Sequence, residues 1–234
     1  AGNTAAAASG DLGSVIVDGD APDFVSVAAS DATYKVGQNI DITVTWDEAV
    51  TVTGTPTLTL SNAATASYIS GTGSTALVFR YTVAEGNTDS ADLSVSSYGG
   101  TITDTAGNAA GAASGDLGSV IVDANSPGFT SVAASDATYY VGQNIDITVT
   151  WGEAVTVTGT PTLTLSNAAT ASYISGTGST ALVFRYTVAE GNTDSADLSV
   201  SSYGGTIADT AGNAAGAASG DLGSVIVDAN SPTL

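Results

Sequence analysis

The residues best equipped for chemistry are carboxylates and amides gathered in short loops. Residues 84–92 read AEGNTDSAD, which sets Glu85, Asn87, Asp89 and Asp92 at near-alternate positions. Such a loop presents hard oxygen donors, of which calcium takes roughly six to eight. Asp123 and Asn125 follow just before Pro127, then Glu153, then Asp209 in the segment DTAGN. We expect these groups to converge on one site and to hold Ca2+. The same residue types recur earlier as Asp18, Asp20 and Glu48, and later as Glu190, Asp194, Asp197, Asp228 and Asn230. A second candidate is the glycine-rich loop with Asp104, Asn108 and Asp116, which either hold an ion or simply order the loop. Taken singly, each of these residues reads as a turn former, because Asp and Asn side chains bond to nearby backbone; it is the cluster that points to a cation. The spacing is not that of an EF-hand, so the signal lies in composition and position.

Other chemistries find little support. The chain has no Cys and no His, which excludes disulfides, thiolate or imidazole metal sites, a cysteine nucleophile and an imidazole base. The one adjacent acid pair, Asp47 and Glu48, has Gly152 at its counterpart, so an enzyme is not expected. Trp46 and Trp151 alternate in phase with apolar neighbours and read as core. Tyr34, Tyr139 and Tyr140 fall in expected loops, where they bind sugar or pack at a junction. The alternating threonines from Thr51 to Thr59 read as a strand's solvent face rather than an ice-binding ladder.

The net charge is −20, from 23 acids against Lys35, Arg80 and Arg185. Nucleic-acid binding needs Lys and Arg on phosphates and is excluded. Anionic membrane surfaces are disfavoured, and no apolar run approaches the ~20 residues of a membrane span. So much charge of one sign opposes the compact state unless it is spread through salty solvent or neutralised by bound cations.

These acids are placed by a repeat. The segment SVIVD begins at Ser14, Ser119 and Ser224, a spacing of 105 residues. Residues 24–128 and 129–233 align without a gap and differ only at Val25/Thr130, Lys35/Tyr140, Asp47/Gly152, Thr103/Ala208 and Gly128/Thr233. A unit of this length buries a core of its own. We therefore read three parts: residues 1–23, the tail of a preceding repeat; 24–128, repeat 1; and 129–234, repeat 2. The tail and the missing Met lead us to expect a piece of a longer, mature array. They also predict an orphan last strand over Ser14–Asp18.

Helical periodicity is absent and β-branched residues dominate. In repeat 1 the alternation predicts strands over Phe24–Val27, Ile40–Trp46, Thr51–Leu60, Ala64–Ser70, Ala76–Val83, Leu93–Tyr98 and Ser119–Asp123. Pro56 predicts an edge, a kink or a change of sheet. About seven short strands per repeat predict an all-β chain of two tandem immunoglobulin-like β-sandwich repeats joined by a short acidic linker. The loop at Asp47–Glu48, the turn Gly71–Ser74 and the loop Gly99–Gly118 then share the top of a repeat. The loops Ser30–Asn39 and Glu85–Asp92 share the bottom with the exit at Asp123. The bottom of one repeat faces the top of the next.

YKVGQNIDITVTWDEAVTVTGTPTLTL, SGTGSTALVFRYTVAEGNTDSADLSV, GGTITDTAGNAA and VIVDANSP together resemble the tandem immunoglobulin-like repeats of giant bacterial surface proteins. These include the calcium-binding extender regions of RTX-type adhesins. The linker is also similar to that of cadherins, although only Ser126 separates Asn125 from Pro127. The resemblance implies a non-catalytic spacer on the bacterial cell surface, rigidified by calcium, that projects an adhesive domain in cell adhesion or biofilm formation. The expected partners are adjacent identical repeats of the parent chain, with head-to-tail self-association in crystals. The alternative is a carbohydrate- or protein-binding adhesion module.

Overall fold

A computed structural model of the chain describes Gly10, Ser14 and residues 17–230. The orphan strand over Ser14–Asp18 and the end of the third SVIVDANSP copy fall largely outside the described residues.

Repeat 1 contains β1 (Phe24–Ala28), β2 (Ala32–Lys35), β3 (Asn39–Leu60), β4 (Thr65–Ser70), β5 (Ser74–Thr82), β6 (Ser94–Thr103), β7 (Gly115–Asp116) and β8 (Val120–Asp123). Repeat 2 follows as β9 (Phe129–Ala133), β10 (Ala137–Tyr140), β11 (Asn144–Leu165), β12 (Thr170–Ser175), β13 (Ser179–Thr187), β14 (Ser199–Ala208), β15 (Gly220–Asp221) and β16 (Val225–Asp228). Both are immunoglobulin-like sandwiches of antiparallel strands, each closed by one parallel pair, β2 with β8 and β10 with β16.

Three features depart from the sequence reading. The expected loop Gly99–Gly118 is partly strand: β6 continues to Thr103 and β7 forms at Gly115–Asp116 by pairing with the start of β6, which makes eight strands per repeat. The segments expected as separate strands on either side of Asp47 run together as β3, 22 residues long. Its first half pairs with β1 and β5, its second half with β6 and β4, and the register breaks between Thr45 and Val50 where the partner changes. One continuous strand thus belongs to both layers. Ala32–Lys35, expected within a loop, is instead β2, paired with β8 from Ala32 opposite Val120 to Lys35 opposite Asp123.

Pro56 sits where β3 bulges against β6: Thr53 faces Thr101 and Thr57 faces Gly99, leaving Gly100 opposite the extra residues. A Cβ on Gly100 would lie 2.7 Å from the Pro56 Cα, so the bulge needs glycine there.

Alternation in β3 buries Ile40, Ile42, Val44 and Trp46, and in β5 Leu77, Phe79 and Tyr81. Each large side chain removed from water contributes about 1.5–3 kcal/mol. The Trp46 ring stands edge-on to Tyr98 at 6.2 Å, as Trp151 does to Tyr203 at 6.1 Å. The tryptophans are core. Each repeat has its own buried cluster, with no member in common.

On the outer face, register sets Asp41 opposite Arg80, and the guanidinium donates to both carboxylate oxygens at 2.6 and 2.7 Å. Asp146 and Arg185 repeat the pair. Exposed pairs of this kind add little to stability. Among the described residues, no helix is long and apolar enough to cross a membrane.

Candidate metal centre

At the top of repeat 1, oxygens of Asp18, Glu48 and Asp104 lie within 4.8 Å of one another. Asp104, 3% exposed, follows the end of β6. Its Oδ1 accepts from the backbone N–H of Gly107 at 2.6 Å and of Asn108 at 2.8 Å, and its Oδ2 from Asn108 Nδ2 at 2.8 Å. The same Asn108 amide donates to the carbonyls of Asp20 at 2.8 Å and Asp18 at 3.2 Å. Asp104 therefore orders its loop and faces the linker acids at once. Glu48 projects from the bend of β3. Beside it, Asp47 accepts the backbone N–H of Asp23 at 2.8 Å. Asp116, grouped with Asp104 in the sequence, instead accepts from Gly118 N in its own turn.

The electrostatics match this crowding. Partial burial first, and then the charges of Asp104, Asp18, Asp47 and Asp20, push the Glu48 carboxyl above its ordinary value. Burial also works against ionised Asp104. The Asn108 amide and the backbone N–H groups of Asn108, Gly107 and Ala106 together outweigh it and hold Asp104 below the ordinary value.

The junction between the two repeats gathers Glu85, Asp89, Asp123, Glu153 and Asp209. Glu153 is raised by burial, then by the charges of Asp209, Asp123, Asp89 and Glu85. Asp123 is raised by burial and by Asp209, with a smaller contribution from Asp89. The bottom loop of repeat 1, the linker and the top of repeat 2 thus act on one another here.

Hydrogen bonds fix the group. Asp89 accepts from Ala124 N at 2.8 Å and from Asn125 Nδ2 at 2.9 Å. Glu85 accepts from Ser126 N at 3.0 Å and Ser126 Oγ at 2.7 Å, bonds that hold its carboxyl below the ordinary value. Gly216 N donates to the Pro127 carbonyl at 2.8 Å, tying the linker to the top loop of repeat 2.

Other expected donors are placed differently. The Asn87 oxygen is taken up by Tyr81 OH and Ala84 N. Asp92 is exposed and lines a shallow depression with Ser94, Gly115 and Asp116; it is not among the acids that raise Glu153. Its counterpart Asp197 is likewise exposed. At the far end, Asp194 accepts from Ala229 N and Asn230 Nδ2, which lowers its value, while Asp228 and Asn230 are exposed. Glu190 belongs to the same loop.

The sequence reading missed the hub of the junction. Asn213, 3% exposed, donates to Asp209 Oδ2 at 2.8 Å and to the Asp123 carbonyl at 3.1 Å, and accepts from Val36 N at 2.9 Å. The signal was the DTAGN segment itself, whose final Asn closes the turn begun by its Asp.

The donor set suits a hard divalent cation. Every offered ligand is an oxygen, and the two ion pairs among the described residues, Arg80–Asp41 and Arg185–Asp146, lie on the sheet faces. The cluster Asp18, Glu48 and Asp104 could hold a metal ion.

Fold and site together define a tandem immunoglobulin-like protein with acidic clusters at the top of repeat 1 and at the junction between its two repeats. No family model matches the chain, and no curated protein matches it. Solved structures do, among them the I-band fragment I67–I69 from titin, at 11% identity and a TM-score of 0.39. That match covers 89% of this chain and 66% of the titin fragment, so the chain spans slightly less than two thirds of it.

Proposed function

We propose that the chain is a non-catalytic extender of a long extracellular bacterial surface protein, and that calcium at the repeat junctions makes it stiff. The observation that carries this reading is the gathering of Glu85, Asp89, Asp123, Glu153 and Asp209 from three separate segments at one junction, against their mutual repulsion. Folding does not collect like charges without compensation, and among the described residues no basic side chain is ion-paired to them. Asp18, Glu48 and Asp104 would form the corresponding site one repeat earlier. Bound there, a divalent cation supplies the opposite charge and cross-links the linker to the repeat that follows.

The residues hold the ligand oxygens ready. Asn108 and Asn213 turn Asp104 and Asp209 inward, and Ser126 orients Glu85. Extracellular calcium modules of this sort bind at about 10⁻⁴–10⁻³ M. The repeats are proposed to sit beside further repeats of the same kind, residues 24–128 and 129–234 being the units.

Differential scanning calorimetry in EDTA and in ~5 mM CaCl2 tests the reading. At that concentration a site of this affinity stabilises by about 1–2 kcal/mol, or roughly 4–10 °C in a domain of this size. Coincident curves would count against it. A carbohydrate- or protein-binding module is the alternative, which a glycan array probed with the two-repeat chain addresses; the extender reading expects no specific hit.

A further inference from the structure

The two repeats carry different residues at the end of β2 and β10: Lys35 in one, Tyr140 in the other. Lys35 reaches across the junction. Its Nζ donates to the Gly212 carbonyl at 2.7 Å, and the next backbone N–H, that of Val36, donates to Asn213 Oδ1 at 2.9 Å. Both acceptors belong to the DTAGN turn of repeat 2. Gly212 has φ +94°, and a Cβ there would lie 3.2 Å from Lys35 Nζ and 3.6 Å from its Cδ. The lysine stem therefore lies along the bare side of the glycine.

That turn is the one built around Asp209. Gly212 N and Asn213 N both donate to Asp209 Oδ1, at 2.6 and 2.8 Å. Lys35 thus grips the turn from outside while Asp209 holds it from within.

Burial records the contact. Ala211 and Gly212 are half-buried and Asn213 is buried, whereas Ala106 and Gly107 of repeat 1 are exposed and Asn108 is half-buried. Lys35 and Val36 are half-buried against that turn. Among the described residues Lys35 has no ion-pair partner, so its part is a charged hydrogen bond to a carbonyl rather than neutralisation of the acids.

We infer that Lys35 is a positioning residue that latches the Asp209 turn of repeat 2 to the bottom of repeat 1 without a bound cation. A repeat that carries tyrosine at this place, as Tyr140 does, lacks this bond, so a repeat placed after it would lean more on the proposed cation for its alignment. The first statement is independent of the calcium reading; the second rests on it.

The chain has no cysteine, so Ser70→Cys with Ser175→Cys, both exposed, gives one spin-label pair across the junction. Pulsed dipolar spectroscopy in EDTA is expected to give a narrow distance distribution for the parent and a broad one for Lys35→Tyr. Loss of a charged hydrogen bond is expected to lower the docked-to-undocked ratio on the order of tenfold. Tyr is the residue β10 already carries, so the variant keeps a foldable sequence. Lys35→Arg, which retains a long cationic donor, is expected to restore the narrow distribution. Equal widths for Lys35→Tyr and parent in EDTA overturn the latch. Adding CaCl2 is expected to narrow Lys35→Tyr; failure of that step alone counts against the calcium reading and leaves the latch standing.

Discussion

Glu153 carries the clearest consequence at the scale of one residue. Burial and four neighbouring acids raise its carboxyl above the ordinary value. Replacing it with Gln keeps the shape and removes one repelling charge. In EDTA we expect Glu153→Gln to melt higher than the parent, by an amount on the order of 0.5 kcal/mol, about 2–4 °C. In calcium the order is expected to reverse, because the variant would lack one ligand of the proposed site. Calorimetry under the two conditions reads both signs, and a loss of stability in EDTA would show that Glu153 has a structural partner instead.

The pH dependence follows from the same residues. Without metal, Glu48, Glu153 and Asp123 bind protons more readily folded than unfolded. Stability therefore falls as pH rises from the ordinary carboxylate range through their raised values. Glu85 and Asp104 are held low by hydrogen bonds and act oppositely: their contribution is lost as pH falls through their folded values. The metal-free chain should melt highest near pH ~4–5. Saturating calcium needs ionised carboxylates and should move that maximum toward neutrality. Melting temperatures from pH 3 to 8, roughly, with and without EDTA, check both.

At the scale of elements, the turn from β4 to β5 depends on Gly71. It has φ +112°, and a Cβ there would lie 2.1 Å from the Ala76 carbonyl oxygen, which belongs to backbone. Gly37, also at positive φ (+85°), has open space around it. Gly37→Ala is expected to cost only the left-handed strain, about 1–2 kcal/mol. Gly71→Ala must also move a strand and is expected to cost about 3 kcal/mol or more. Thermal unfolding of each variant tests this, since repeat 2 keeps Gly142 and Gly176 as an internal reference. The elements also mark the limits of the sequence. Period-two alternation at Ile40, Ile42, Val44 and Trp46 and at Leu77, Phe79 and Tyr81 made the main strands and the core legible. It could not show β2, because ATYK is short and its parallel partner β8 lies 88 residues away in register. Nor could it show that β3 is continuous, since the polar pair Asp47–Glu48 looks like a turn until the strand is seen changing partners there. The acids of the junction were visible as composition. The double task of Asp104 was not, because a carboxylate that orders a loop and one that faces a cation are the same letter.

For the whole molecule, a charge of −20 is compatible with two arrangements that differ in how they answer salt. If self-repulsion came evenly from all surface acids, monovalent salt would stabilise the chain equally with or without calcium. Here the repulsion is concentrated: Glu48 and Glu153 each feel four other acids. Asp41 and Asp146, by contrast, are held below the ordinary carboxylate range by their arginines. Raising NaCl from ~0.05 to ~1 M shortens the screening length from above 10 Å to about 3 Å, short enough to weaken repulsion within a cluster. We therefore expect NaCl to raise the melting temperature of the EDTA-treated chain by several degrees. In saturating calcium the same addition should have much less effect, because the proposed cation would already have cancelled the charge that salt would screen. Scanning calorimetry across the salt series decides the matter. Parallel salt responses in EDTA and calcium would mean that the charge is spread over the solvent face and that the junctions hold no ion.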